Sequence, residues 1–381
     1  MNAISPIEIA GFVAFGLSAC GVVYAIIVTV ALWRFWRRPI ATPKIAPSIT
    51  VLRPLFGDEP ELYQNLASGC GQTYEGPVQT ILGAQDPSDA ALAVARRVQS
   101  DWPGHDIAVA GNPALHGTNR KISNLINLSA QARGDVIVIA DSDVRFPPDS
   151  FNAIIAALER PGVGLVYCLY RGRPAGGLWS ILAAMDINAR VAPGVVIGQT
   201  LGFNPCLGPA MALRADVLEQ VGGLGRLADV LADDYELGRA VRQAGYGVAC
   251  PPLVIDHVFG EKTFNQMFTH ELRWARTVRL VEPGGYFGSA IMHFLAMGLI
   301  GAALTGFSAP ALAALGGLVV FRLIQADCLC RLLAADRRWL WLVPVRDLLS
   351  FAVFVFGAFG NRIEWRGARS SVSRDGTMSA T

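Results

Sequence analysis

Hydrophobic positions crowd the two ends of the chain and thin out in its middle. Ile9 to Trp33 holds no charged residue. A helix of about 25 residues crosses a hydrocarbon layer about 30 Å thick with some tilt. The basic residues follow this run, as Arg34, Arg37, Arg38 and Lys44. That order predicts a retained anchor rather than a cleaved leader, with its downstream side in the cytoplasm. Near the other end, Phe287–Phe307 and Ala311–Cys330 read as two further spans, the second interrupted by Arg322 and Asp327. Trp339–Phe359 is also apolar but contains Pro344 and the Arg346-Asp347 pair, and basic residues flank it on both sides. A central ion pair is costly in lipid unless sheltered, so this run is expected to re-enter or lie at the interface.

Between these zones the pattern alternates between strand and helix. Ser48–Arg53, Val78–Ala84, Asp106–Ala110 and Asp135–Ala140 read as short strands, the last of them buried. Glu59–Ala67, a segment opened by Ser88 and running to Gln99, and Ile122–Ala132 read as helices. The alternation implies a mostly parallel sheet covered by helices on both faces. In such sheets ligands bind beyond the carboxyl ends of the strands, where Asp86 and Asp141 stand. The expected organisation is an anchor and basic flank over residues 1–44, an α/β domain over 45–285, a membrane region over 286–361 and a basic tail over 362–381.

Composition narrows the function classes. Of 381 residues, 52% are hydrophobic and 16% charged, as expected for membrane segments around a soluble middle. A net charge of +2 gives no bulk attraction to nucleic acid, so none is expected as a partner. The seven cysteines form no CxxC pair, which fits a reducing compartment. Cys328 and Cys330 lie in an apolar stretch and read as small buried hydrophobes.

The chemistry concentrates in acids. Asp141-Ser142-Asp143 follows directly on a strand, and two carboxylates one residue apart can hold a divalent cation whose shell diphosphate oxygens complete. A solvated acidic turn explains the same pattern taken alone. Asp233 and Asp234 precede a helix; either Asp233 caps it, or a carboxylate there serves as general base for an attacking hydroxyl. Further on stands His270-Glu271-Leu272-Arg273-Trp274, where Arg273 suits phosphate oxygens and Trp274 an apolar wall beside an acceptor.

These pieces, in this order, resemble the ceramide glucosyltransferase-like family of inverting glycosyltransferases with the GT-A fold, a Rossmann-like α/β architecture. The matching positions are Asp86, Asp141 with Asp143, Asp234 and Arg273-Trp274. Val51-Leu52-Arg53-Pro54-Leu55, Asn119 to Leu125 and Asp216 to Gly223 also resemble the family. His270 departs from it, standing where the family has Gln or Arg, which would make that contact pH-dependent. Pro344 to Phe351, Trp365-Arg366-Gly367 and Arg374-Asp375-Gly376 resemble the subgroup of bacterial hopanoid lipid biosynthesis.

The resemblance implies a UDP-sugar donor, with Asp86 accepting from uracil and Asp141 and Asp143 holding Mg²⁺ or Mn²⁺. Lys121 would add positive charge near the donor, or else sit on the surface at a helix start. Arg273 would bind donor phosphate, His270 and Trp274 would line the diphosphate and acceptor region, and Asp234 would be the base. His257 is expected to be structural. The implied reaction transfers N-acetylglucosamine to bacteriohopanetetrol as a β-glycoside at the bacterial inner membrane, with ceramide as the rival acceptor.

A sensor that only binds nucleotide sugar would not need Asp234 or Arg273. A processive synthase would carry more spans. A phosphatase using Asp141 as nucleophile would not continue with Val144-Arg145. Because the cluster from Arg34 to Lys44 sets the orientation, protease added outside intact cells should leave residues 45–285 uncut. Cleavage there before the membrane is breached would reverse the topology.

Overall fold

The computed structural model describes residues 5–203, 205–360, 362–365, 368–372 and 378–380, the last three stretches as backbone apart from Met378. Two compact units result. One comprises residues 38–176, 204–260 and 361–381, and the other residues 1–37, 177–203 and 261–360.

The first unit is α/β. Its strands are β1 (Ile49–Pro54), β2 (Val78–Ala84), β3 (Asp106–Gly111), β4 (Val136–Ala140), β5 (Val144–Arg145), β6 (Val163–Tyr167), β7 (Leu169–Pro174), β8 (Ala210–Arg214), β9 (Gly247–Ala249) and β10 (Val254–Phe259). Seven of them form one sheet in the order β3-β2-β1-β4-β8-β6-β9. Pairs β1–β2, β2–β3, β1–β4 and β6–β9 are parallel, and β8 runs antiparallel to both its neighbours. The mostly parallel α/β sheet expected from the alternation is therefore present. Strands β1 and β4 are buried along their whole length, because helices cover both faces. The chain moves outward from β1 to β3 on one side and returns to β4 on the other. The carboxyl end of β1 is thus a switch point, where such sheets bind ligands. A second sheet, β5-β10-β7, lies in the same unit. Strands β11 (Arg362–Trp365), β12 (Ala368–Val372) and β13 (Met378–Ala380) pair antiparallel in the stretch expected to be a plain tail. Arg366, Gly367, Arg374, Asp375 and Gly376 of the C-terminal motifs lie outside the described residues.

Two helix starts differ from expectation. Ser88 caps nothing: its N–H and hydroxyl donate to Asp86, and the helix begins at Ala91. An Asx-type turn closed on the aspartate competes with helix initiation there. The helix read as Ile122–Ala132 starts two residues earlier, at Arg120, because Asn119 caps it by accepting from the Ile122 N–H. This places Lys121 in the first turn.

The second unit gathers the apolar helices. Among the described residues five are long and apolar enough to cross a membrane: Pro6–Trp36, Gly177–Thr200, Pro283–Leu304, Ala309–Leu332 and Leu340–Gly357. The second of these lies within residues 45–285, which the sequence pattern assigned to the α/β domain. Asp186, Arg190 and Pro193 break its apolar run, and a π-helical turn at Ile187–Val191 divides it. The last qualifies by length and composition as a span, although its charges pointed to an interfacial position. The first helix buries Gly11, Ala14, Ser18, Gly21 and Ala25, spaced three or four apart. A methyl on Gly21 would come within 2.4 Å of Phe294, and one on Gly11 within 2.7 Å of Thr305. Small residues let helix backbones approach in this way when dispersion rather than water exclusion drives packing.

Gly134 makes the tightest join before β4. A Cβ there would stand 2.4 Å from the Thr50 nitrogen and 2.7 Å from the Ile49 carbonyl carbon, and both are backbone atoms of the central strand. Gly134→Ala should cost about 1–3 kcal/mol through overpacking. Thermal unfolding of the purified chain should show a lowered Tm, and an unchanged Tm would mean that the strand can yield.

Candidate functional site

Two of the acids stand at the carboxyl edge of the sheet. Asp86 stands two residues beyond β2 and Asp141 one beyond β4. Asp86 is exposed, and the Ser88 hydroxyl and N–H hold its carboxyl below the usual range. The Asp141 N–H donates to the Pro209 carbonyl at 2.9 Å, which ties the acid turn to the loop before β8.

Lys121 organises this edge. Its Nζ lies 2.9 Å from Asp141 Oδ1 and 3.5 Å from Asp233 Oδ2, and its side chain is only 11% exposed. The surface-lysine reading is thereby excluded. Burial alone would lower its pKa, but Asp141 and Asp233 together reverse that and raise it, so the amine stays charged. Asp141 is pushed upward by burial and by the charge of Asp143, and Lys121 opposes the push. Asp233 opens the helix Asp233–Gln243 but does not cap it. The N-cap is Ala232, without a side-chain bond.

Asp234 is placed differently from its neighbour. It is half-buried, and its Oδ1 accepts from the Tyr235 N–H at 2.8 Å. Burial, then the charge of Asp233, raises its pKa to about 6. A Cβ on Gly208 would lie 3.0 Å from Asp234 Oδ2, so the loop before β8 passes directly against this carboxylate.

Two residues outside the sequence assignment hold the acid turn. His257 lies within β10, and its Nε2 stands 2.9 Å from Asp143 Oδ2. The antiparallel pairing of β5 with β10 sets His257 opposite Val144, and the Val258 N–H donates to the Asp143 carbonyl. Arg53 is buried in β1, and its guanidinium donates to the carbonyls of Asn65 at 2.6 Å and Val144 at 2.7 Å. Burial lowers its pKa to about 10, against the pull of Asp143 and Asp141, so it stays cationic. An arginine inside an otherwise apolar strand was the available signal for Arg53. For His257 there was none, since its role depends on a pairing across more than a hundred residues.

The remaining motif belongs to the second unit. His270, Arg273 and Trp274 lie on the helix Phe264–Val281. His270 Nδ1 is 2.8 Å from Glu261 Oε1, and its ring packs on Trp274 with centroids 4.2 Å apart.

Asp141 and Asp143 are about 30% exposed, with oxygen donors of the kind a hard divalent cation takes. Among the described residues no three His, Cys, Asp or Glu side chains converge as a metal cage. Two carboxylates with phosphates and water completing the shell are how Mg²⁺ is commonly held, so the residues present fit such an ion.

A model described as "Glycosyl transferase family 21" matches residues 13–378. Ceramide glucosyltransferase 1 of Caenorhabditis elegans is 21% identical over 241 residues, covering 62% of this chain and 52% of that protein. The ceramide glucosyltransferase of Gibberella zeae is 32% identical over 142 residues, covering 33% and 27%. The chain thus spans about half or less of the length of these curated relatives. A mannosyltransferase from Pyrobaculum calidifontis, solved in complex with GDP-Man and Mn²⁺, superposes with a TM-score of 0.51 at 19% identity, covering 92% of this chain and 99% of that one. That likeness carries the GT-A fold expected from the motifs. Because the family match takes in the strand-end acids, the His270–Trp274 motif and the apolar helices alike, the chain belongs to glycosyl transferase family 21, the ceramide glucosyltransferase-like group that its motif order resembles.

Proposed function

We propose that the protein transfers a sugar from a nucleotide diphosphate donor to a hydroxyl of a membrane lipid by one direct displacement. The observation that carries this reading is the Lys121-centred acid edge, in a family 21 chain that also bears five helices apolar enough to cross a membrane. The relatives named as ceramide glucosyltransferases support a lipid acceptor. The GDP-Man and Mn²⁺ of the archaeal mannosyltransferase support a nucleotide sugar and a divalent cation.

The residues divide the work. Asp86 accepts from the base of the donor, which the motif order makes a UDP-sugar. Asp141 and Asp143 hold the cation, which when bound would neutralise charge on the leaving diphosphate. Arg53 and Lys121 keep the acid turn in place, and Lys121 adds positive charge beside the diphosphate. Asp234 takes the proton from the acceptor hydroxyl as its oxygen attacks the anomeric carbon and the diphosphate leaves, so configuration inverts. Asp233 is less suited to that task, because Lys121 engages its carboxylate. Arg273 is assigned to donor phosphate, and His270 and Trp274 to the diphosphate and acceptor region, by motif order. The first-choice substrates are UDP-N-acetylglucosamine and bacteriohopanetetrol at the cytoplasmic face of a bacterial inner membrane, supported by the C-terminal motifs. Ceramide is the second acceptor, supported by the names of the relatives.

The deciding experiment incubates the purified chain in liposomes with UDP-N-acetylglucosamine or UDP-glucose and with bacteriohopanetetrol or ceramide. Mass spectrometry should find an N-acetylhexosamine on the polyol, absent in excess EDTA and restored by Mg²⁺ or Mn²⁺. Glucosylceramide alone would select the second acceptor, and no glycolipid from any pair would defeat the proposal. Full turnover in EDTA would remove the cation from it.

Asp234→Asn keeps the side-chain size and removes the proton acceptor. Turnover should fall by about 10²-fold or more, with UDP binding little changed. Because the carboxyl of Asp234 is raised to about 6, the ionised and therefore active form is lost as pH falls through that value. The wild-type kcat should drop on the acid side, and a bound cation can only move the midpoint lower. The variant should lack this limb; normal turnover in it would assign the base elsewhere.

A further inference from the structure

Six charged side chains are drawn together inside the helical unit: Asp186, Arg190, Glu271, Arg322, Arg346 and Asp347. Their signs balance, and most are nearly or wholly buried. Arg322 pairs with Asp347 through two bonds of 2.7 and 2.9 Å. Arg346 is 2% exposed and bridges two acids, with Nη2 2.6 Å from Glu271 Oε2 and 3.2 Å from Asp186 Oδ1. Asp186 also accepts from Arg190 and from the Ser350 hydroxyl at 2.6 Å. Buried ion pairs of this kind are weak contributors to stability, and apolar side chains would serve the packing as well or better. Their value lies in specifying one arrangement, and ionisable groups among apolar helices mark functional positions.

The arrangement specified here is that of the helix Phe264–Val281. Glu271 is on that helix, two residues before Arg273. Arg346 reaches it from the helix Val343–Gly357 and also touches the Met267 sulfur at 3.9 Å. The same two helices meet again where a Cβ on Gly357 would come within 2.8 Å of the Ala275 Cβ, and where Phe268 packs edge-on against Phe356. Arg276 and Arg279 close the join by donating to the carbonyls of Phe359 and Gly360. Apolar contacts carry little direction, whereas the bridge requires one guanidinium to reach Glu271 and Asp186 at once. Among the described residues Glu271 Oε1 and Arg346 Nε find no hydrogen-bond partner, so the bridge is not arranged for maximal stability.

We propose that Arg346 is a positioning residue for sugar transfer: by bridging Glu271 to Asp186 it fixes the rotation of the Phe264–Val281 helix, and with it Arg273 and Trp274. The proposal rests on the reading above that Arg273 and Trp274 serve the transfer.

The test uses the full chain in liposomes and four variants: Arg346→Met, Arg346→Lys, Glu271→Gln and Arg273→Ala. Hydrogen exchange over residues 264–281 is measured beside kcat for N-acetylglucosamine transfer and the affinity for UDP. Arg346→Met should speed exchange in that helix and lower kcat about 10-fold or more, since a misplacement of about 1 Å can cost about 10²-fold. UDP affinity should fall by less than kcat, because Arg273, assigned to donor phosphate, is displaced while Asp86 and the acid turn still hold the nucleotide. Glu271→Gln should match it, and Arg346→Lys should recover part of the loss. Faster exchange with wild-type kcat would overturn the proposal, as would losses of kcat and UDP binding in equal proportion, which mark a merely structural role. If Arg346→Met does not fold, Glu271→Gln, which removes one charge and no volume, decides by the same readings. Full kcat in Arg273→Ala would instead defeat the reading of the motif, and the exchange data would still report whether Arg346 fixes the helix.

Discussion

The α/β unit depends on a buried lysine that makes an acid cluster tolerable. Two like charges about 4 Å apart repel by about 4 kcal/mol at an effective dielectric of about 20, and burial strengthens the effect. Asp141, Asp143, Asp233 and Asp234 come from two ends of the fold: the turn after β4 and the start of a helix nearly a hundred residues later. Lys121 touches one acid from each end. With Asp141 and Asp233 on one amine, the helix start is held against the sheet edge. Arg53 performs a related task from below, through two carbonyls rather than a carboxylate, so its charge steadies the turn without occupying an acid.

This distribution of partners gives four similar carboxylates different surroundings. Asp141 is tied to a cation, Asp143 to a histidine and Asp233 to the same lysine as Asp141. Asp234 has a backbone N–H and the close backbone of Gly208, and its pKa is raised to about 6 by burial and by its neighbour. A carboxylate poised near neutrality is what proton transfer from a hydroxyl requires. The difference between Asp233 and Asp234 is one residue in sequence and about 100° of helix rotation.

The helical unit meets the same problem, charge in a poor solvent, with a different answer. The acids and arginines of its buried cluster neutralise one another, while Gly, Ala and Ser positions bring the first helix against its neighbours. The Arg346-Asp347 pair looked prohibitive for a membrane segment because its partners were invisible along the chain. Asp186, Glu271 and Arg322 shelter it from three different helices.

The sequence by itself determined much of the architecture: the mostly parallel sheet, the strand ends carrying Asp86 and Asp141, and the apolar runs at both ends. These follow from periodicity and from turn chemistry, which are local. It also carried the family, because the order of motifs survives when each motif alone is weak. Helix starts were less legible, since Ser88 and Asn119 are equally good caps until Asp86 captures one of them. The partnerships were not legible at all. Lys121 with Asp233, His257 with Asp143, and Arg346 with Glu271 and Asp186 join residues about 75 to 160 positions apart, and no propensity encodes such a meeting. Only the tertiary structure decided them, because a side chain's charge state and role are set by what burial brings within about 4 Å of it, and burial belongs to the whole fold.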